Sequence, residues 1–393
     1  MQASALAEDF APDWAAIAVV ILGVTAFSVG QGLTYPLIAL VMESRGASST
    51  VAGLNAAVFA AGLATSTLMI GRLTAILRGD RLIVAGLIGA SLSLTAFSLF
   101  DSLPVWFMAR YTLGFSTSII FIISEAWLNA ACPDRMRGRV SGFYGASMCA
   151  GFAAGPLAIP LVGTKDGFAF ALVAVYIAFV AFASVMLGRF ARTKPERATA
   201  GGALQFVRLA PVLALMVLAF GFSDIAAISM IPLYFVERGY SQGFAAFVVT
   251  MVALPTALAQ PLVGWLLDHV SRPLVAVGSA LLSGLSFVAL PWLSSEVALL
   301  ATVSVLGAAS FSLYTCALTL LGDRYRGAML VAGAAAYGLA YAAGSAAGSS
   351  VSGVVMDASL HWGPTGTGLT MLVFAAIFAF GLKTPPRQTG GAR

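Results

Sequence analysis

The sequence predicts an all-α membrane protein with twelve transmembrane helices in two six-helix halves, related by a pseudo-twofold axis along the membrane normal. Three observations predict this fold: a strongly apolar composition, twelve apolar runs of membrane-spanning length, and an internal repeat across half of the chain. Of the 393 residues, 60% are hydrophobic and 9% are charged, whereas soluble domains have about 25% charged residues. The composition therefore excludes an ordinary soluble enzyme, a disordered chain and a disulfide-rich scaffold.

Apolar runs between charged or Gly/Pro-containing breaks define the helices. Their lengths are close to or above the roughly 20 residues that a spanning helix needs. The predicted spans are Trp14–Met42, Val51–Ile70, Leu82–Phe100, Pro104–Ala131, Val140–Leu161, Phe168–Leu187, Leu209–Phe235, Phe244–Leu267, Pro273–Leu293, Val297–Leu321, Ala328–Val355 and Gly366–Leu382.

The longest polar stretch, residues 189–208, follows the sixth apolar run and contains Pro195 and Gly201–Gly202. We interpret it as a cytoplasmic linker between an N-terminal half, residues 1–188, and a C-terminal half, residues 209–393. Twelve spans leave only short loops and tails, so no additional soluble domain is expected.

The distribution of Lys and Arg predicts the orientation, because cytoplasmic loops carry an excess of these residues. With both termini in the cytoplasm, 17 of the 21 basic residues lie inside, 3 lie outside, and Arg110 lies within a span. The sequence therefore predicts an integral protein of the cell (inner) membrane with both termini cytoplasmic. The positive net charge is dispersed among these loops and does not indicate a nucleic-acid partner.

Short segments of the first half recur in the second half in the same order. Two pairs of glycines, Gly46 with Gly239 and Gly71 with Gly264, are each 193 residues apart. We place the second pair in the loops after the second and eighth spans. Asp134–Gly138 matches Asp323–Gly327 at a spacing of 189. This order predicts a parallel repeat with a transport site between the halves.

Several of these motifs resemble those of the major facilitator superfamily, over nearly the whole chain. Gly71-Arg-Leu-Thr and Gly264-Trp-Leu-Leu-Asp268 with Arg272 resemble its loop signature, although Ala75 replaces the acid of the first copy. Arg110 to Gly114 resembles its fourth-helix motif, and Gly151 to Pro156 resembles the fifth-helix motif of proton antiporters. Glu125 to Asn129, followed by Arg137-Gly-Arg139 and Tyr144, most resembles the YcaD-like branch.

Three charged residues lie within predicted spans, where an unpaired charge is costly and usually functional. They are Arg110, Glu125 and Asp224. At a rise of 1.5 Å per residue, Asp224 and Arg110 are at similar depth, and we expect them to pair. Asp224 is the predicted proton-coupling carboxylate. The alternatives are that Asp224 forms a static bridge to Arg110 or caps a break in the helix near Gly221. Glu125 is interpreted as an inner proton site or as a partner of Arg135 or Arg137.

Residues of the cytoplasmic loops, together with small residues of the fifth span, are candidates for gating and for contact between the halves. Asp268 and Arg272 are expected to form a bridge, and the arginines are expected to bond helix ends or acids across the gate. The glycines favour close helix approach, at a moving interface or in ordinary packing. The set is Gly71, Arg135, Arg137, Gly151, Gly155, Pro156, Gly264, Asp268, Arg272, Arg324 and Arg326.

Polar and aromatic residues in spans that line the cavity of the resembled family are the substrate-binding candidates. They are Gln31, Tyr35, Trp127, Asn129 and Tyr314. Few charges and several aromatic rings favour a small amphipathic or aromatic solute.

Secondary transport by alternating access is the predicted function, with proton-coupled export as its specific form. Proton-coupled or facilitative import of a small nutrient, such as a planar vitamin, is the alternative, and a non-transporting membrane receptor is a further one. An enzyme and a nucleotide-driven pump are not predicted, since nucleophile–base, metal-binding and Gly-x-x-x-x-Gly-Lys motifs are absent from the sequence. The expected partners are a small-molecule substrate, protons and the lipid bilayer, with a monomeric protein and no cofactor.

Overall fold

The computed structural model describes residues 11–163, 167–194, 202–325 and 327–382, which form helices and contain no strand. Twelve helices in these ranges are long and apolar enough to cross a membrane. The prediction of an all-α protein with twelve transmembrane-capable helices is therefore confirmed.

We number the spanning helices α1 to α12. Their bounds are α1 Trp14–Ser44, α2 Ser49–Ile76, α3 Gly79–Leu99, α4 Leu103–Ala131, α5 Asp134–Ala154, α6 Phe168–Gly188, α7 Pro211–Glu237, α8 Gln242–His269, α9 Arg272–Ala289, α10 Glu296–Arg324, α11 Gly327–Ala358 and α12 Trp362–Gly381. Two shorter turns, Gly155–Ala158 and Ile159–Val162, continue α5, and a short helix, Ala203–Leu209, precedes α7.

Several helices extend beyond the apolar runs that predicted them. Gly71 lies inside α2 and Gly264 lies inside α8, so the placement of these two glycines in loops is wrong. The whole Asp134–Gly138 motif likewise lies in the first turns of α5. A helix satisfies its own backbone hydrogen bonds in water as well as in lipid, so the end of an apolar run does not end the helix.

The turns after α1 and α7 have the same hydrogen bonds at a spacing of 193 residues. Gly46 and Gly239 both adopt positive φ angles, of 78° and 90°, which favour glycine. The next residues donate to equivalent carbonyls, Ala47 to Met42 and Tyr240 to Phe235. One residue further on, Ser48 caps α2 and Ser241 caps α8 through equivalent bonds. These turns are what the predicted repeat would produce.

Helix packing follows the same scheme in the two halves. In the first half α2 and α3 pack on α4, α3 packs on α6, and α1 packs on α5. The corresponding pairs six helices later, α8 and α9 on α10, α9 on α12 and α7 on α11, also pack closely. The superposition of the halves about one axis remains a prediction.

If each of the twelve helices crosses the membrane once, the starts of α1 and α7 and the end of α12 lie on the same side. We call this side the linker side. The opposite side is the far side. Among the described residues, four hydrogen bonds join the first six helices to the last six. All four lie toward the far side. In this conformation the far side is therefore closed by direct contacts between the halves.

Asp13, at the start of α1, ties the linker side of the first half together. Its carboxylate accepts bonds from the backbone N–H of Ala16 and from the backbone N–H groups of Arg192 and Thr193, at 3.2, 2.7 and 2.7 Å. The Thr193 hydroxyl donates a further bond, of 2.9 Å. Burial raises the pKa of Asp13, but the bonds from Thr193, Ala16 and Arg192 outweigh burial and hold it below its ordinary value.

We expect Asp13→Ala to destabilise the protein by about 2–4 kcal/mol, because it removes a helix cap and charge-assisted bonds to the linker. The folded-state pKa is lowered, so the stabilisation is complete above the ordinary value of 3.8 and is lost as the pH falls toward the folded value. Melting of the purified protein in detergent between pH 7 and pH 3 measures both effects. A melting temperature equal to that of the wild-type protein at pH 7 would contradict this assignment.

Candidate functional site in the bundle interior

Asp224 lies in the middle of α7, 13 residues from either end of the helix. Its carboxylate Oδ2 accepts a hydrogen bond of 2.9 Å from the hydroxyl of Tyr341 on α11. Directly after it, residues Ala226–Met230 form a π-helical turn, followed by Pro232, which has no N–H to donate. Such turns often occur at functional sites. The local backbone is thus irregular beside the one acid of α7 that lies in its interior.

Arg110 on α4 is 1% exposed and lies between two aromatic rings. Its Cζ atom is 4.7 Å from the ring centroid of Tyr35 and 4.8 Å from that of Phe59. Its Nε and Nη1 atoms have no hydrogen-bond partner. Cation–π contact therefore replaces the expected ion pair as the main interaction of this guanidinium.

The expected pair of Arg110 and Asp224 is not formed in this conformation. Among the described residues, no ion pair within 4.0 Å includes either side chain, and the Asp224 carboxylate is bonded to Tyr341 instead. Tyr35 has electrostatic interactions with both Arg110 and Asp224, so the three groups occupy one region. The expected direct contact is therefore absent from this conformation, and the coupling role of the two residues stays a prediction.

A cluster of aromatic rings adjoins Asp224 on the C-terminal half. Phe220 stacks on Tyr314 at 5.2 Å between centroids and contacts Phe311 at 5.5 Å and Tyr341 at 5.4 Å. Tyr314, Phe311, Tyr341 and Asp224 are each partly exposed, so they border open space rather than closed packing. Tyr314 thus lies on a surface that combines apolar rings with hydroxyl groups, and its contact with a substrate stays a prediction.

Glu125 on α4 is exposed although it lies in a membrane-spanning helix. No described residue forms a hydrogen bond or an ion pair with the Glu125 carboxylate. This carboxylate does interact electrostatically with Tyr144 of α5 and Tyr314 of α10. Tyr144 is itself buried, and its hydroxyl has no partner. An exposed carboxylate that interacts with both halves indicates open space between them on the linker side.

The other cavity candidates lie apart from this region. Gln31 lines a small cavity of about 10 Å³ within the first half, large enough for about one water molecule. Trp127 is fully buried and donates its indole N–H to the carbonyl of Thr193 at the linker side, so it packs in the first half and does not line the Asp224 region. The side chain of Asn129 lies outside the described part of the chain.

The expected bridge between Asp268 and Arg272 is replaced by another ion pair. Arg272, at the start of α9, pairs with Asp323 at the end of α10, and Asp268 is exposed. Both partners belong to the second half, so the pair joins two helices of one half. Arg324 is exposed, and the side chains of Arg135 and Arg137, and Arg326 as a whole, lie outside the described residues.

Gly151, Gly155 and Pro156 lie at the end of α5 and in the turn after it. A Cβ atom at Gly155 would lie 2.5 Å from the backbone nitrogen of Leu33, and one at Gly151 would lie 3.0 Å from the carbonyl of Thr25. Both glycines therefore face α1 of the same half, and the expected role at the interface between halves is not supported for them. The contact across the halves is made by the Ala153 carbonyl, which accepts a bond of 2.9 Å from Thr250.

The sequence analysis missed a contact between the halves on the far side. Asp357, at the end of α11, accepts bonds of 2.8 and 2.9 Å from the backbone N–H groups of Ser49 and Thr50 at the start of α2. The Ser49 hydroxyl donates to Glu237 at the end of α7. A carboxylate at a helix N-terminus is favourable, because it accepts otherwise unpaired N–H groups. We call these four residues the far-side contact.

We expect Asp357→Ala to favour opening of the far side, because both bonds to α2 are lost. One charge-assisted bond contributes about 1.5–3 kcal/mol, so opening should increase about tenfold or more. A cysteine is introduced at Ser349, which is buried near Gly53 of α2, in a protein whose three native cysteines are replaced by serine. The measurement is the rate at which a membrane-impermeant maleimide labels this cysteine. Asp101→Ala is the control, since Asp101 is 84% exposed and pairs with Arg45 within one half; equal rates in both variants would refute the role of Asp357.

Comparison with known proteins reveals the family. The sequence model of the Major Facilitator Superfamily matches residues 20–349 and 212–393. The chain belongs to the major facilitator superfamily. A relative described as the uncharacterized MFS-type transporter YfkF of Bacillus subtilis (strain 168) is 25% identical over 347 residues, 87% of this chain and 88% of that protein. YcaD of Shigella flexneri serotype 5b (strain 8401), with the same description, is 25% identical over 257 residues, 64% of this chain and 65% of that protein.

Membership of the superfamily, together with the twelve apolar helices, makes this chain an integral membrane protein and a secondary transporter. It confirms the family that the sequence motifs resembled. No group of three or more His, Cys, Asp and Glu side chains in the described ranges could hold a metal ion. The ionisable groups linked by electrostatic interactions around Tyr35 are the guanidinium of Arg110, the carboxylate of Asp224 and the hydroxyl of Tyr341.

Proposed function

We propose that this member of the superfamily transports a small amphipathic or aromatic solute, coupled to protons through Asp224, and that export is the direction. The observation that carries the proposal is the Asp224–Tyr341 hydrogen bond in the middle of the bundle, beside the aromatic cluster of Phe220 and Tyr314. A carboxylate inside a membrane protein is costly unless it is paired, hydrated or protonated. Alternating access changes these surroundings in each cycle and so changes the proton affinity of Asp224.

The far-side contact supports a cycle of this kind. The far side is closed by Asp357 and Thr250, whereas Glu125 is exposed toward the linker side. A solute would then enter between the halves from the linker side and contact the partly exposed rings of Phe311, Tyr314 and Tyr341. Opening of the far side would release the solute and admit a proton.

Everted membrane vesicles test the proposal. Fluorescent dyes, drugs and vitamins are offered with and without an imposed pH gradient, and accumulation is compared with that in vesicles lacking the protein. Gradient-dependent accumulation of an aromatic or amphipathic compound is the expected result. Transport that is insensitive to the pH gradient and to a protonophore would refute proton coupling.

Import is a second candidate, and one observation favours it. The charge of Arg110 is not neutralised by any carboxylate within 4.0 Å among the described residues. A solute that carries a negative charge would move most easily together with a proton, and the proton gradient across a bacterial membrane favours its entry. Right-side-out vesicles distinguish import from export. A non-transporting receptor is excluded if either preparation accumulates a solute.

We propose that the linker side is the cytoplasm and that the protein resides in the inner membrane as a monomer. The basis is the distribution of basic residues, 17 on that side and 3 on the other. Reporter fusions after Arg208 and at Arg393 should both report a cytoplasmic location. An alkaline phosphatase signal from either fusion would overturn the orientation.

A further inference from the structure

The guanidinium of Arg110 is a buried positive charge with no carboxylate within 4.0 Å among the residues that the structure describes. It is 1% exposed, and two of its three nitrogens, Nε and Nη1, have no hydrogen-bond acceptor. A guanidinium has five N–H donors and keeps its charge in proteins. An uncompensated buried charge costs several kcal/mol, even after relaxation. An anionic group that accepted bonds from these N–H groups would lower this cost.

The aromatic neighbours of Arg110 supply only part of that interaction. Tyr35 on α1 and Phe59 on α2 lie 4.7 and 4.8 Å from its Cζ atom, and their rings are 5.4 Å apart in an edge-to-face arrangement. Desolvated cation–π contacts stabilise the charge in part, and they leave the N–H groups unbonded. The two rings therefore hold the guanidinium in position, and Nε and Nη1 still lack an acceptor among the described residues.

Asp224 does not act as the missing counter-ion in this conformation. It belongs to the other half of the protein, and its carboxylate is bonded to Tyr341. The titratable group in contact with Arg110 is Tyr35 of α1, which also interacts with Asp224 of α7 and Tyr341 of α11, whereas α2 contributes the uncharged Phe59. When Asp224 carries a proton, the region therefore has one net positive charge, on Arg110.

We propose that the transported solute carries a carboxylate or a similar small anionic group, and that Arg110 binds this group. The inference rests on the proposed transport function and specifies its substrate class: an aromatic or amphipathic monoanion. The anionic group satisfies the unbonded N–H groups of Arg110, and the apolar part lies against the rings around Phe220 and Tyr341. The negative charge of ionised Asp224 opposes this binding, so the solute binds best when Asp224 is protonated. Such a solute moves together with the proton, and this inference therefore belongs to the import form of the proposed function.

The test is a binding measurement with matched charged and uncharged probes. Purified protein in nanodiscs is titrated by calorimetry with 1-naphthoate and 1-naphthamide, and with benzoate and benzamide. Chloride and acetate are included, since a small anion without an apolar part is the other source of the same charge. We expect the wild-type protein to bind each carboxylate at least tenfold more tightly than its amide, as one charge-assisted bond allows.

Variants assign this preference to Arg110. Arg110→Gln should lose the preference and bind each carboxylate as weakly as its amide, with amide affinity unchanged. Asp224→Asn should keep the preference and make it independent of pH between 5 and 8. Arg45→Gln is the matched control, because Arg45 also lies over an aromatic ring, Trp106 at 4.6 Å, but at the far-side surface; it should behave as the wild-type protein.

The possible outcomes separate this inference from the transport function. Equal affinity for amides and carboxylates, or binding of no carboxylate at millimolar concentration, overturns the assignment of Arg110. Chloride that competes as well as 1-naphthoate overturns it too, since the bound anion would then be inorganic. In each of these cases, transport of uncharged or cationic compounds in vesicles leaves the proposed function intact. Absence of transport of any compound in the panel, at any charge, refutes the proposed function itself.

Discussion

Asp224→Asn is expected to abolish proton-driven accumulation of solute and to leave downhill exchange intact. The amide cannot bind and release a proton, so the pH gradient can no longer be coupled to solute movement. It resembles the protonated carboxyl in size and neutrality, and so both end states of the transport cycle remain accessible. The measurement is accumulation against a gradient, compared with exchange of labelled for unlabelled solute, in vesicles that contain equal amounts of protein.

Two further substitutions make the assignment of the coupling site specific. Tyr341→Phe removes the donor of the 2.9 Å bond and should alter the pH dependence of transport without abolishing accumulation. Asp101→Asn, at an exposed acid on the far side, should accumulate solute as the wild-type protein does. Full accumulation by Asp224→Asn would exclude Asp224 as the coupling site. Glu125, the other acid exposed to the interior, would then be the candidate, with Glu125→Gln as its test.

The number and order of the helices could be predicted because apolar composition is itself the signal for a membrane span. The ends of the helices could not be predicted equally well. For example, α2 continues to Ile76, six residues beyond the predicted end, because a helix needs no apolar residues where it leaves the lipid. The π-helical turn after Asp224 was also missed. Its one visible signal is Pro232, which cannot donate a backbone bond to the preceding turn.

Candidate residues of the interior site could be named from the sequence, but the contacts between them could not. Counting residues along α4 and α7 gives the depth of Arg110 and Asp224, but not the direction in which each side chain points around its helix. Tyr341 was missed because a tyrosine in an apolar helix looks like any other packing residue until its acceptor is known. Trp127 was misplaced for the same reason, since its partner, Thr193, lies 66 residues further along the chain.

The far-side contact depends on side chains whose partners lie about 190 to 310 residues away. Nothing in the local sequence distinguishes Asp357 or Ser49 from other polar residues near helix ends. The internal repeat does not predict this contact either, because Asp357 joins the two halves and does not belong to a motif that they share. Contacts of this kind need a structure, whereas caps and turns such as those at Ser48 and Gly46 can be recognised from sequence.

Gly53→Val is expected to reduce transport about 100-fold by preventing closure of the far side. A Cβ atom at Gly53 of α2 would lie 2.3 Å from the carbonyl oxygen of Ser349 on α11, and one at Gly353 would lie 2.4 Å from the carbonyl oxygen of Ser49. The helix backbones of the two halves thus touch directly at these positions, as small residues allow in membrane proteins. A valine side chain forces the helices apart, at a cost of about 3 kcal/mol.

Gly278→Val is the matched control, because a Cβ atom at Gly278 of α9 meets no atom within 4 Å and this variant should transport normally. The mechanism is tested by labelling a cysteine at Thr250, which is 3% exposed and bonded across the halves to Ala153. If the two halves move as units, Gly53→Val should expose Thr250 to a membrane-impermeant reagent from the far side, even though Thr250 lies on α8 and not on α2 or α11. Loss of transport without increased labelling at Thr250 would mean that valine disrupts folding locally, and that closure at α2 and α11 is not coupled to closure at α5 and α8.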